Sequence, residues 1–289
     1  MSLVIDPEAK AYLNATTISE VHSTMTVETA SPRYTQEQHV APSRLVDGDG
    51  GRSRFEDKII SYTSNLGPLR QTPAVPGTAI SFHLCLAGYA SDFRPTVRRH
   101  VILVAKGAME VRAGSAEVRT FRPGDVLETL DCDGKGHIVR AVGNQPFGAA
   151  LIELDNSTGC ETEKPARRLS KQSLPSLRNI TGDDGQSHFE DGALPYIAGD
   201  DGCLFTDDIG INAFQFVLSM GDLSFDFHTA PQRQIVLPLT GGIEDENGDG
   251  SRRKIRPGEV YFREDSTGKG HITRALDCPV RFSIFAHLV

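Results

Sequence analysis

The chain repeats itself. The segment Asp131 to Val142 recurs as Asp265 to Leu276, with eight of twelve positions identical, at an offset of 134 residues. The same offset carries Arg122-Pro123-Gly124 onto Arg256-Pro257-Gly258, Gly107 onto Gly241, Phe93 onto Phe227, and Phe55-Glu56-Asp57 onto Phe189-Glu190-Asp191. A register held that far restricts the fold to one that can be built twice. Solenoid repeats run to about 20–50 residues, so each copy here is long enough to be a domain. The copies read as 42–155 and 175–289, with a charged, small-residue linker over 156–174. Residues 1–41 belong to neither copy. They read as an arm, with a short helix over 7–21, that packs on the rest of the chain or on a second subunit.

Within each copy the signals are β. Val101-Ile102-Leu103-Val104 and Ile235-Val236-Leu237 are short β-branched runs suited to buried strands. Met109 to Arg112 and Glu117 to Arg119 alternate apolar and polar, as a half-buried strand does. Asn247-Gly248-Asp249-Gly250 and Ala113-Gly114-Ser115 mark tight turns at equivalent places. Gly 28 and Pro 16 among 289 residues suit a chain that turns often. The reading is all-β: two sandwich or jelly-roll units.

Charge and cysteine content narrow the function. A net charge of −8 disfavours nucleic acid or an anionic membrane as partner. The basic spots Arg98-Arg99 and Arg252-Arg253-Lys254 are too small to reverse this. Five scattered cysteines with no C-x-x-C pair indicate neither a zinc ribbon nor a disulfide framework. The N-terminal residues carry acids where a signal peptide needs bases. The longest nearly uncharged stretch, 74–91, is broken by Pro76, Gly77 and Gly88. A soluble cytoplasmic protein is expected. No nucleotide-binding or hydrolase fingerprint is present.

The repeated pattern resembles the cupin family. The second copy offers His228, Gln234 and Gly241, then Pro257-Gly258 and Gly268-Lys269-Gly270-His271. The first offers Arg94, His100 and Gly107, then Pro123-Gly124 and Gly134-Lys135-Gly136-His137. The resemblance covers both copies and implies a bicupin of two jelly-roll barrels packed by pseudo-two-fold symmetry. It does not choose a reaction, since one fold hosts many. It also implies a metal site of two His and a Glu in the first motif, and this chain departs from that pattern. Ala230 and Gln234 stand where the second His and the Glu would be, and Arg94, Thr96 and His100 occupy those places in the first copy.

Strand alternation puts His228 and Gln234 on one face, where they can meet His271. Two imidazoles and an amide oxygen suit Fe, Mn or Zn. Without a carboxylate the ion is held weakly, with Glu264 or Asp265 as further candidates. Otherwise His228, Gln234 and His271 act directly on substrate, as acid, base and orienting group. His137 reads first as a turn-pinning histidine and otherwise as a pocket-lining acid/base or ligand that joins Arg94 and His100 in holding a substrate or anion. Arg94, Arg98 and His100 would make the first barrel cationic, hostile to a metal ion and open to an anion; alternatively Arg94 pairs with Asp92 or Glu128 at the rim. Arg140 and Arg274 would pair with Asp131 and Asp265. His22, His39 and His188 show no partner pattern.

The leading expectation is a small-molecule enzyme working on an oxygenated organic substrate in the C-terminal barrel, by oxygenation, decarboxylation, isomerisation or dehydration. The alternative is a metal-free bicupin that binds a small ligand without chemistry. A purely structural duplication ranks last, because buried His and Gln need a reason. Unpaired edge strands favour a homodimer.

Overall fold

The computed structural model describes residues 39–154, 168–199, 201–221, 224–276 and 278–289. Most of the proposed arm over 1–41, its helix over 7–21 included, lies outside the described residues, as does the first part of the linker over 156–174. The described chain is almost entirely strand, with one 3₁₀ turn at Asp49–Gly51.

Each copy builds the same barrel. In the first, one wall has the hydrogen-bonded order Ser43–Val46, Val126–Thr129, His100–Lys106, Phe147–Leu154, Val75–Cys85. The facing wall is Val118–Phe121, Met109–Arg112, Ile138–Ala141. In the second copy the walls are Leu169–Thr181, Val260–Arg263, Gln234–Thr240, Val280–Leu288, Ile209–Met220 and, opposite, Arg252–Ile255, Gly242–Asn247, His271–Leu276. The strand order of the first barrel is reproduced in the second, so the duplication is one of architecture as well as sequence. Strand opens at Leu169, inside the segment read as linker, because Leu174 and Leu177 pack against apolar neighbours.

The two barrels share their edges. Val75–Cys85 pairs with Ile209–Met220 across the pseudo-two-fold axis, Ile80 opposite Ile209 and Val75 opposite Phe214. Each also receives a short strand from the other copy. Cys203–Phe205 lies on Val75–Cys85, with Cys203 opposite Cys85. Leu69–Gln71 lies on Ile209–Met220, with Leu69 opposite Ser219. The exchange is symmetric in detail. Thr72 Oγ1 accepts from the Phe216 amide at 3.1 Å, and Thr206 Oγ1 accepts from the Phe82 amide at 3.0 Å.

Strand alternation then sorts the side chains. Val101 and Leu103 point to a large core between the barrels, while Ile102 and Val104 point into the first barrel. The core between the barrels holds Ile80, Phe82, Phe214, Phe216, Ile235, Leu237 and Phe282, with Phe216 stacked on Phe282 at 5.9 Å. Burial of a large apolar side chain stabilises by about 1.5–3 kcal/mol, and this cluster belongs to neither copy alone. The barrels are therefore one cooperative body.

One expectation fails outright. Cys85 and Cys203 form a disulfide across a sequence separation of 118 residues. Their spacing concealed it, because only the exchanged strand brings them together. Disulfides form in oxidising compartments and are rare in the cytosol, so this bond does not accord with the cytoplasmic expectation. Among the described residues no helix is long and apolar enough to cross a membrane.

Candidate functional site

The Gly-Lys-Gly-His turn sets the geometry in both barrels. Gly136 and Gly270 sit at φ of 68° and 75°, where L side chains rarely go, and a Cβ on either would collide with the carbonyl of Arg94 or His228. That close approach lets the next residue form a backbone bridge: His137 with Arg94, and His271 with His228. A serine repeats the support. Ser53 Oγ donates to the Gly136 carbonyl at 2.7 Å and accepts from the Gly114 amide; Ser187 does the same with Gly270 and Gly248.

Each turn histidine is held by an aspartate. His137 Nδ1 lies 2.8 Å from Asp131 Oδ2, and His271 Nδ1 lies 2.6 Å from Asp265 Oδ2. Asp131 and Asp265 therefore do not pair with Arg140 and Arg274, as expected from sequence. Those arginines lie along the outer strand face and pair with Glu110 and Glu246. In the first barrel Thr96 Oγ1 donates to the other oxygen, Asp131 Oδ1, at 2.5 Å. Its counterpart at the 134-residue offset is Ala230, and Asp265 Oδ1 is buried without a partner.

His228 and His271 do converge, with ring centroids 4.4 Å apart. The surroundings are rich in buried polar and charged side chains. His271 is fully buried and its Nε2 has no partner. The interior is occupied by Arg263, whose Nη2 donates to Asp245 Oδ2 at 2.7 Å and to Thr273 Oγ1 at 2.9 Å. Tyr261 donates to the same carboxylate at 2.8 Å. Burial opposes the charge on Asp245, but Arg263 and His271 outweigh it and hold its carboxyl below the usual range. Burial pushes the His228 imidazole down, with His271 and Arg263 adding to it. His228 Nδ1 donates to the Asp226 carbonyl at 2.8 Å. Gln234 is buried, with its backbone opposite Arg263 and His287.

The cavity lies in the first barrel. It has a volume of about 570 Å³, with Ile102, Met109, Val139, Phe147, Leu151 and Phe205 forming its apolar wall. His83, Tyr89, Arg94, His100, Thr129, His137 and Asp201 face it as well. The positions that decide this can be compared pairwise at the offset. Leu45, Val111, Ala113, Leu127, Thr129 and Val139 in the first barrel stand where the second has Asn179, Asp245, Asn247, Tyr261, Arg263 and Thr273. Thr129 and Val139 line the cavity of the first barrel; at their places in the second stand the Arg263 guanidinium and the Thr273 hydroxyl that accepts from it. That comparison was available in the sequence and would have located the cavity.

The polar groups of the cavity come from both copies. Arg94 is half exposed at the mouth, where its Nη2 donates to Tyr89 Oη at 2.7 Å and approaches Asp201 Oδ2 at 3.4 Å. Neither Asp92 nor Glu128 is its partner. Asp201 belongs to the strap Asp201–Phe205, which comes from the second copy, reaches the mouth, and is tied down by the Cys85–Cys203 bond. Arg98 turns instead to Glu153 at 2.8 Å. His83 lies 3.2 Å from Ser81 Oγ, and burial together with nearby His100 pushes its imidazole down to about 4. Burial also lowers His100. Both rings are therefore neutral near pH 7. The remaining candidates are elsewhere: Glu264 receives Arg178 and Arg233, and His188 bridges Asp184 and Asp249.

The cupin resemblance implies a metal, and the residues present do not fit one. In the second barrel Arg263 is a fixed cation beside His228, and the one carboxylate facing it, Asp245, is already shared with Tyr261 and Thr273. In the first, the only carboxylate lining the cavity among the described residues is Asp201, which faces Arg94. Among the described residues no three His, Cys, Asp or Glu side chains are grouped so as to hold a metal ion.

No family model matches the chain, and no curated protein matches it. Several solved structures are similar. One is a cupin 2 conserved barrel domain protein from Leptotrichia buccalis, with 12% identity over 78% of this chain and 92% of that one, at a TM-score of 0.39. Another is the salicylate 1,2-dioxygenase from Pseudaminobacter salicylatoxidans, with 9% identity, 76% and 71% coverage, and a TM-score of 0.36. A variant of the oxalate decarboxylase from Bacillus subtilis shares 11% identity over 78% and 75%, at 0.32. The duplicated barrels, their strand order and the paired Gly-Lys-Gly-His turns describe an all-β double barrel.

Proposed function

We propose that this cupin-type double barrel takes a small, partly apolar organic acid into the cavity of its first barrel and performs proton-transfer chemistry on it. The observation that carries this reading is His137, which lines that cavity with its Nδ1 held by the buried Asp131 carboxylate. With Nδ1 donating to Asp131, the imidazole presents its Nε2 lone pair to a ligand, as a general base must. The proton it removes from a C–H beside a carbonyl returns to another atom of the same substrate, or leaves with a hydroxyl as water. Isomerisation and dehydration are the classes that need nothing more. Arg94 and Tyr89 form the anion-facing end. The 3.4 Å contact between Arg94 and exposed Asp201 is weak, so a ligand carboxylate can take its place. Neutral His83 and His100 supply hydrogen bonds without adding charge.

A metal-free binder that does no chemistry is the second reading. The observation favouring it is the strap Asp201–Phe205, bonded to the barrel at the mouth, which suits retention of a ligand. One experiment separates the two. The protein is titrated with a panel of small aliphatic and aromatic 2- and 3-hydroxy acids in heavy water, following thermal stabilisation and deuterium uptake by the ligand. The enzyme reading expects both, with exchange lost in His137→Ala and binding weakened in Arg94→Gln. Stabilisation without exchange leaves the binder. No stabilisation by any acid, or stabilisation indifferent to Arg94, overturns both.

A further inference from the structure

A second cleft, of about 530 Å³, adjoins the cavity, with Pro95 lining both. Arg52, Arg112 and Lys135 line it, and among the described residues no acidic side chain does. Among the described residues none of these three cations has an ion-pair or side-chain hydrogen-bond partner. In a chain of net charge −8, three unneutralised cations around one concavity form a local field of the opposite sign.

The duplicate of this place is disarmed. At the 134-residue offset Arg52 becomes Gln186 and Arg112 becomes Glu246. Glu246 is neutralised by Arg252 and Arg274. Lys135 becomes Lys269, which donates to the Gly248 carbonyl at 2.9 Å and covers the Phe227 ring at 4.2 Å. In the first copy the equivalent ring, Phe93, is 44% exposed and lines the cleft uncovered by its lysine. The same scaffold therefore carries, in one copy only, an open aromatic face beside three free cations.

We infer that this cleft binds a phosphorylated small molecule with a planar ring, of the nucleoside diphosphate class. Guanidinium and ammonium groups hold the phosphates, and Phe93 stacks on the ring. The cleft is separate from the proposed catalytic cavity, and its occupancy does not depend on what that cavity does.

The test is calorimetric titration of the full chain with ADP, inorganic pyrophosphate and adenosine. ADP is expected to bind at one site, more tightly than pyrophosphate, with adenosine weakest and with affinity falling as salt rises. Arg52→Gln with Arg112→Glu copies the second barrel at exposed positions, so it folds, and it weakens ADP by at least about tenfold. Phe93→Ala weakens ADP by about fivefold or more and leaves pyrophosphate unchanged. His137→Ala, which removes the base of the cavity, leaves ADP binding intact. No saturable binding of ADP at millimolar concentration overturns the inference, as does binding indifferent to the arginine pair or lost in His137→Ala. Equal affinity for ADP and pyrophosphate overturns the assignment of a ring.

Discussion

Thr96→Ala makes the first barrel resemble the second at one atom. Thr96 is buried, and its Oγ1 donates at 2.5 Å to Asp131 Oδ1, whose other oxygen holds His137. A hydrogen bond to a charged group contributes about 1.5–3 kcal/mol, and its removal leaves a buried carboxylate oxygen unpaired. For 289 residues the unfolding entropy near 60 °C is about 0.6 kcal/mol/K, so the expected fall in Tm is about 2.5–5 °C. Calorimetry and urea melts at pH 7 measure it. Thr96→Ser keeps the hydroxyl and loses only a methyl, so it should keep most of the stability. In the second barrel, Ala230→Thr offers Asp265 Oδ1 the donor it lacks and should raise Tm. The reasoning is refuted if Thr96→Ala leaves Tm within about 1 °C of the parent. It is equally refuted if Thr96→Ser falls as far as Thr96→Ala, because methyl packing then explains the loss.

Three further outcomes follow from the same geometry. Reducing the Cys85–Cys203 bond, or Cys203→Ser, opens a loop of 118 residues; the entropic ceiling is on the order of 4–5 kcal/mol, and the urea midpoint should fall, whereas an unchanged midpoint would show that the bond constrains nothing. Because each barrel takes an edge strand from the other copy, residues 39–154 and 168–289 expressed apart should each lack a cooperative transition and recover one when co-expressed. A sharp transition in either half alone contradicts the exchange. His83, pushed down to about 4 by burial and by His100, binds its proton more weakly folded than unfolded. Its contribution is complete above the unfolded value of about 6.5 and is lost as pH falls from there toward 4. The loss is on the order of 3 kcal/mol; His83→Gln should flatten stability across that window, and a parallel pH profile in the variant would count against the assignment.

The architecture was legible because duplication writes itself into sequence at positions where geometry leaves no choice. Gly136 and Gly270 admit no side chain, and the histidine after each is delivered to the barrel interior by the bridge those glycines permit. The convergence of His228 on His271 followed from that local rule. What did not follow was which barrel stays open, since that is set by side chains from several strands at once. Val111 against Asp245, or Thr129 against Arg263, means little singly. The disulfide was illegible for another reason. Cys203 lies in a strand that pairs outside its own copy, and no periodicity within a copy reports such an exchange. Arg94 shows the same limit, since its partner Asp201 comes from the strap.

The divergence of the copies has a physical logic. A buried Arg263–Asp245 pair is not a source of net stability, because desolvation offsets the attraction; apolar filling would serve as well. What the pair does is occupy the second interior with groups that need each other. The second barrel then acts through its edge. Cys203–Phe205 is seated between Ser187–Ala198 of its own copy and Val75–Cys85 of the other, so the strap that meets Arg94 is positioned by one barrel and roofs the other. A site assembled this way needs the closed copy as a rigid mount, and a charged core that tolerates few alternative packings suits a mount better than a pocket.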